Sequence, residues 1–529
     1  MKSLKFYILL SLAIGMVAVG CKKKFNDDSP NTNLPLTVPP GVALRSALGD
    51  LIVYPGGYED KADQYIVSNY TYYGDNKYWT GSASWNFSTL QTVVSMEALA
   101  NKAYGGSDNN PYHALGLFFR AFFFVGMSEK VGDLPMSEAL QGVGNVAPKY
   151  DTQKDIFKQS LIWLDSANTI LSDMLTNGFL EFSGDFYYKE ALNGTYSGNN
   201  GRDALVEWQK VVNTYKLRVL IELSKKADDP DLNVKAQFAA ILADPTKYPL
   251  MGSNADNLQY VYNSGYNYYP DNATNYGNNA GRLNPGATYL NVLSSLNDLR
   301  CMVIAEPARG LGFADTDYRS YAGGESGTDL GTLATQSFNG VLSLYNYNHY
   351  YSGLTGEPTL IISYPEMCLN IAEGINRGWA AGDANTWYQN GVKGSFDFYG
   401  LKDGDNTVTL RSPDGTANLT YTVNFNYTNY FAQASVTYAG DNAAGLNQIL
   451  TQKYLAYFRN SGLQGYYQWR RTGVPAFNAG TGTGNGGIIP RRFQYPTNEL
   501  QVNAANLQAA LQSQYGGNDD INQDVWLVK

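Results

Sequence analysis

Hydrophobic residues recur at helical spacing in several long stretches of the chain. From Tyr112, "YHALGLFFRAFFFVGM" places Leu115, Phe118, Phe119, Phe122 and Phe123 on one face. Gly132 and Pro135 stop it in "VGDLP". From Asp151, Phe157, Leu161, Leu164 and Leu171 form a second stripe. From Asp203, a third aligns Leu205, Trp208, Val212, Tyr215, Val219 and Leu223, with Lys225 and Lys226 in the last turn, where cations suit a helix C-terminus. "PEMCLNIAEGINRGW" starts with Pro365, a helix-opening residue. It carries Met367, Cys368, Ile371, Ala372, Ile375 and Trp379 on one apolar stripe. Further helices are predicted from Tyr388 and from Leu446. Between the helices lie Gly-, Asn- and Tyr-rich segments at roughly 254–290, 305–340 and 402–440. Only the last alternates cleanly: "NTVTL" and "NLTYTVNFNY" flank Asp414–Gly415, which predicts a β-hairpin. No repeat of fixed period is present. The pattern is mainly α, with long irregular connections of the kind that usually carry function.

Composition narrows the classes. The 529 residues suit one large multi-lobed domain or two to three smaller ones. Charged residues are only 16%, while Tyr occurs 42 times and Gly 54 times. That aromatic content is unlike a disordered chain. The net charge of −9 argues against nucleic acid, which needs clustered Lys and Arg. At the N-terminus, Lys2 and Lys5 precede an apolar run over 6–20, short for a membrane span and right for a signal peptide. It ends "AVGC" and resembles a bacterial lipobox, with Ala18 where Leu is commoner. Residues 1–20 are therefore expected to be removed and Cys21 to be lipidated. The polar, Pro-rich 21–40 reads as a flexible tether. Cys301 and Cys368 are expected to stay free, Cys368 as a small buried hydrophobe.

The chemistry-bearing residues are sparse. His113 and His349 are the two histidines, and no H-E-x-x-H or paired Cys-x-x-Cys occurs, so no metal site is expected. His113 reads as a capping or packed residue and His349, inside "YNYNHYY", as a ligand-contact candidate. The turns "DGD" at Asp403 and "NDD" at Asn518 fit no EF-hand spacing, so no motif supports a structural calcium ion, and no cofactor is expected. "GTGNGG" from Gly482 matches G-x-G-x-x-G but lies between Pro475 and Pro490 without a strand or helix. It reads as a flexible surface loop. Glu366 and Glu373 stand two turns apart on one predicted helix, roughly 10 Å by helix rise. With Asp397 they are the acids a glycosidase reading could use. The richer signal is aromatic. Flat rings stack on the C–H faces of sugars, and amides and guanidinium groups bond the hydroxyls. One cluster holds Tyr70, Tyr72, Tyr73, Tyr78, Trp79 and Trp85; a second holds Tyr345, Tyr347, His349, Tyr350 and Tyr351; a third starts at Tyr262.

Six stretches, in order, resemble one family. "FFRAFFFVGMSEKVGDLPMSEAL", "APKYDTQKDIFKQSLIWLDSAN", "WQKVVNTYKLRVLIEL", "LNDLRCMVIAEPA", "YPEMCLNIAEGINRGW" and "QWRRTGVPAF…IPRRFQYPTNE" are similar to the SusD/RagB outer-membrane lipoproteins, in their SusD-like branch. "LRCMV" stands where that family has "LRDPR", and Gly374 where it has Ala. The resemblance implies a tetratricopeptide-like helix-pair scaffold with an irregular, loop-rich lobe containing short β-hairpins, in a single domain over 41–529. It implies a lipid-anchored protein on the outer face of the outer membrane of Bacteroidota, acting as a lid on a SusC-type TonB-dependent barrel. It further implies capture of an oligosaccharide, or sometimes a peptide, without catalysis. A surface glycoside hydrolase and a purely gating partner are the alternatives. Ligand contacts in the family come from an early loop and from mid-chain loops. By order in the chain these match Tyr72, Tyr73, Tyr78, Trp79 and Trp85, and then Tyr347, His349, Tyr350 and Tyr351. The pairs Arg470–Arg471 and Arg491–Arg492 are then expected to staple the irregular lobe to the scaffold through guanidinium hydrogen bonds.

Overall fold

The computed structural model describes residues 38–78, 81–188 and 201–529. The signal peptide, Cys21, the tether up to residue 37 and Trp79 lie outside the described residues, as does the side chain of Tyr73.

The predicted helices are present. The scaffold begins with α1 (Pro40–Gly49), packed on α2 (Phe87–Ala103). Then follow α3 (Pro111–Val131), α4 (Gln153–Asn177), α5 (Arg202–Glu222) and α6 (Val234–Ala243), each packed against the preceding helix. Helix α3 starts where the Asn110 side chain accepts from His113 N, and ends at Gly132 with φ 97°. Thr152 caps α4 in the same way through Asp155 N. The apolar stripes interlock: Phe118 meets Trp208 and Tyr215 edge-to-face, with centroids 5.5 and 5.6 Å apart.

The second half adds α7 (Ala287–Ser295), α8 (Tyr364–Asn376), α9 (Ala384–Phe398), α10 (Ala443–Tyr457), α11 (Gln464–Thr472) and α12 (Ala504–Tyr515). Helix α8 packs on α5, α9 and α10 and so joins the scaffold to the loop-rich lobe. Gly374 leaves no room for a side chain, because the Phe238 ring of α6 lies 2.2 Å from where a Cβ would stand. The core has two main parts. One surrounds Phe118, Leu164 and Trp208 in the scaffold. The other surrounds Tyr289, Leu293, Phe396, Tyr454 and Phe458 in the lobe. Cys368 lies in the first and Cys301 in the second, both buried and free.

Among the described residues, three antiparallel strand pairs hold the lobe's segments together. β1 (Ile66–Ser68) pairs with β3 (Leu283–Pro285), with Ile66 opposite Pro285. β2 (Leu258–Tyr260) pairs with β4 (Thr359–Ile362). β5 (Gly404–Arg411) and β6 (Asn418–Phe425) form the predicted hairpin, with Gly415 at φ 70° in its turn. Among the described residues no helix is long and apolar enough to cross a membrane, and no group of three or more His, Cys, Asp or Glu is placed to hold a metal ion.

The four arginines are structural ties. Arg470 Nη1 donates to Glu129 O on α3 (2.7 Å). Arg471 pairs with Glu373 on α8 and donates to Ser224 Oγ at 2.9 Å. Arg491 Nε pairs with Asp524 (2.6 Å), and Arg492 pairs with Asp519 while donating to Asp520 O. The glycine-rich run between them is not the loose loop expected. Gly482 N donates to Gly327 O (2.9 Å) and Thr483 O accepts from Tyr78 N (3.1 Å). A Cβ on Gly482 would stand 2.1 Å from Thr328 O, so glycine here permits a close backbone contact.

Candidate functional site

The β1–β3 pair decides where the first aromatic cluster goes. Beyond Ser68, Asn69 N donates to Arg282 O (3.0 Å), and Asn69 Nδ2 reaches Asn284 Oδ1 (2.7 Å) and Ser337 Oγ (3.0 Å). This clamp holds the following turn against the 281–284 segment. Tyr70 and Tyr72 then project outward, 49% and 76% exposed. The Arg282 guanidinium lies 4.9 Å from the Tyr70 ring centroid and 5.6 Å from that of Tyr72. Such cation–π contacts hold rings in place without burying their faces. Phe338, next to the clamping Ser337, is 90% exposed.

The same segment leads to the other clusters. Arg282 N donates to Asn279 O at the end of the helical turn Tyr276–Asn279. Tyr276, from the third cluster, meets Tyr347 edge-to-face at 4.7 Å and Tyr351 at 5.4 Å. The Arg411 guanidinium at the end of β5 lies 3.9 Å from the Tyr347 ring centroid. Glu306 fixes both partners from below. Its Oε1 accepts from Tyr347 N and its Oε2 from Arg411 N, each at 2.9 Å, while burial pushes its carboxyl above the ordinary range. The result is a surface of partly exposed phenol rings backed by two guanidinium groups, assembled from four separate parts of the chain.

The candidates divide by burial. Tyr72 and Tyr347 reach this surface. Tyr78 does not: it is buried and donates to Ala62 O (2.8 Å) under α11, beside Tyr466. Trp85 is half-buried elsewhere, with Nε1 donating to Glu499 Oε1 and its ring on Phe87 and Tyr495. Tyr350 and Tyr351 are fully buried; Tyr350 stacks on Tyr269 and donates to Glu357 Oε1. His349 turns inward, with Nε2 2.8 Å from Glu357 Oε2 and its ring against Tyr350. These five are engaged in packing and internal hydrogen bonds and do not reach that surface. His113 behaves as expected, with its backbone N on the Asn110 cap and its ring on Glu97. Arg282, Arg411 and Phe338 were not singled out in the sequence. An isolated arginine in a Gly- and Asn-rich segment of low charge is the signal that could have found the first. The acids of the glycosidase reading are engaged. Glu366 pairs with Arg218, Glu373 with Arg471, Lys453 and Arg377, and Asp397 accepts from Asn254.

Beneath this surface, buried Arg459 lies 4.5 Å from the Tyr345 ring and pairs with Asp271, with Asp60 at 3.6 Å. Burial pushes Asp60 up to about 7 despite Arg459, and Asp133 and Asp185 up to about 6. Unfolded carboxyls titrate near 4, so between roughly pH 4 and these values the folded state holds the extra protons and stability falls as pH rises. The thermal midpoint is therefore expected to rise as pH is lowered from 8 to about 5.5. A melting series in which it stays flat or drops contradicts this reading.

Comparison with known proteins agrees with this architecture. The chain is similar to a SusD homolog from Bacteroides fragilis at 26% identity, covering 93% of this chain and 100% of that one, with a TM-score of 0.77. A second B. fragilis SusD homolog matches at 26% identity over the same shares, with a TM-score of 0.73. A chitin-binding SusD homolog from Flavobacterium johnsoniae shares the fold at 20% identity, covering 93% and 98%, with a TM-score of 0.66. No curated protein matches the chain in sequence. The SusD-like family model, described as starch-binding and associating with the outer membrane, matches residues 57–496, and the chain belongs to that family.

Proposed function

We propose that this chain is a cell-surface lipoprotein, anchored through Cys21, that captures an oligosaccharide and hands it to a SusC-type TonB-dependent barrel on which it acts as a lid. The observation that carries the reading is the set of exposed rings Tyr70, Tyr72 and Tyr276 with the partly exposed Tyr347, backed by Arg282 and Arg411. Rings supply stacking faces and guanidinium groups bond hydroxyls, so the surface suits a neutral polyol better than a phosphate or an apolar ligand. The step is binding and release, with no covalent bond made or broken. Outer-membrane association and starch binding in the family, and chitin binding by the F. johnsoniae relative, support it.

The test is affinity electrophoresis of the protein against plant and microbial polysaccharides, with reducing ends assayed in parallel. Retardation without release is expected. Release of reducing ends would establish a hydrolase, and no retardation by any glycan, with a barrel still co-purifying, would establish a peptide-binding or gating role. Tyr72→Ala is expected to weaken glycan binding by about fivefold, the equivalent of about 1 kcal/mol for one stacking ring. Its thermal midpoint should not move, because the side chain is 76% exposed. Unchanged binding in both Tyr72→Ala and Tyr347→Ala would remove this surface from consideration.

A further inference from the structure

A cavity of about 190 Å³ lies where the scaffold meets the lobe, between α3, α5, β4 and the loops at 50–53 and 460–464. It shares no residue with the aromatic surface and is not needed by the function proposed above. Asp50 and Val53 on its border are exposed. Inside, it is bordered by the carboxyl-bearing side chains of Glu129 and Glu222, each 4% exposed, and walled by Phe122, Tyr215 and Tyr467.

The two acids are unlike the others on these helices. Glu366 and Glu373 are each met by a guanidinium within hydrogen-bond distance. Among the described residues the Glu129 side chain accepts no hydrogen bond and forms no ion pair. Glu222 has only Arg471 Nε at 3.6 Å, beyond hydrogen-bond length. The Arg218 guanidinium, which also borders the cavity, is already engaged by Glu366 and by Ile361 O. Asn460, 2% exposed at the cavity wall, has its amide oxygen unpartnered, while its Nδ2 donates to Glu357 and to Phe458 O. The cavity thus offers two carboxyls without a hydrogen-bonded cation between aromatic rings, with Lys130 and the engaged Arg218 also in its lining. Buried carboxylates without a donor are costly, and a cation placed between them would relieve that cost. Aromatic faces add further attraction for a positive charge.

We propose that this cavity binds a small organic cation, a primary ammonium or amidinium ion on an apolar body about the size of a benzene ring, with Glu129 and Glu222 as its carboxylate partners. The size fits, since an engineered cavity of about 150 Å³ accepts benzene. Burial and the neighbouring Glu222 push Glu129 up to about 8, against Arg470, Arg218 and Lys130, so the empty site keeps a proton at neutral pH that the cation would displace.

Titration calorimetry of the full mature protein at pH 7 tests this, with benzylamine and benzyl alcohol as probes in two buffers of different ionisation enthalpy. Benzylamine should bind with proton release, and benzyl alcohol about tenfold more weakly or not at all. Glu129→Gln keeps the shape of a carboxyl that is neutral in the empty site, so it should fold with an unchanged thermal midpoint and lose about tenfold in benzylamine affinity. Glu222→Gln gives an independent check if the first variant is unstable. The proposal fails if the alcohol binds as well as the amine. It also fails if both variants bind benzylamine normally, or if benzylamine does not bind.

Discussion

Glu373→Ala is expected to destabilise the protein by about 3–5 kcal/mol, the usual cost of removing one member of a buried ion-pair network. Glu373 is fully buried on α8. Its Oε1 accepts from Arg471 Nη1 (2.5 Å) and Arg377 Nη2 (2.8 Å), and its Oε2 from Lys453 Nζ (3.0 Å) and Arg471 Nη2 (3.1 Å). One carboxylate thus ties α8, α10 and α11 together beside the end of α5. Without it, Arg471 and Lys453 stay buried with Glu222 at 3.6 Å from Arg471 and the neutral Asn370 on Lys453 as their remaining partners. Arg377→Ala should cost far less, because that side chain is 24% exposed and salt bridges open to water contribute little. The pH dependence follows from the sign of the shift. Arg471, Lys453 and Arg377 together outweigh burial and hold Glu373 well below the ordinary carboxylate range. Its contribution is complete above the unfolded value of about 4.3 and is lost only as pH falls toward the folded value. The gap between wild type and Glu373→Ala in urea midpoint should therefore be constant from pH 5 to 8 and narrow only below pH 4. A gap under about 1 kcal/mol at pH 7 would mean that water replaces the carboxylate.

The helices were legible because their apolar residues recur at a period that only a helix turns into one face. The stripe at Leu205, Trp208, Val212, Tyr215 and Val219 is buried as read. The β5–β6 hairpin was legible for the same reason at period two. The pairs β1–β3 and β2–β4 were not: each strand has three or four residues, and the partners are distant in sequence, so no local pattern marks them. The first of those pairs positions the Tyr70–Tyr72 turn against the segment of Arg282, which is why the surface's membership was only half visible. Tyrosine deepens the ambiguity, since its ring packs in a core while its hydroxyl needs a partner that the core must supply. Tyr347 and Tyr350 sit in one short segment, yet Tyr350 is drawn inward by Tyr269 and Glu357 from elsewhere. The run at 480–487 misled in another way. Glycine serves both mobility and close approach, and the contact of Gly482 with Thr328 O selects the second. The paired arginines were read correctly as ties, because a guanidinium beside irregular backbone has many carbonyls and carboxylates within reach.

Gly286→Val is expected to lower stability by about 1–3 kcal/mol and to weaken glycan binding, although residue 286 is not part of the binding surface. Gly286 follows β3, and its N donates to Tyr65 O at the edge of β1 (2.8 Å). A Cβ there would stand 2.0 Å from Gln64 O, a backbone atom that cannot swing aside like a side-chain tip. The two strands must therefore separate or slide to admit a side chain. Because the pair carries Asn69 and Arg282, their separation should loosen the clamp at Asn284 and Ser337 and misalign Tyr70 and Tyr72 with the guanidinium. Gly49→Ala, at the end of α1 with open space where its Cβ would go, is the control and should leave both properties unchanged. Thermal melts and affinity electrophoresis on the same preparations separate the outcomes. A fall in both midpoint and affinity supports the strand pair as the element that positions the aromatic rings. A destabilised variant that still retards on the glycan as wild type does would show that the rings are held by Arg282 alone, independently of the register beneath them.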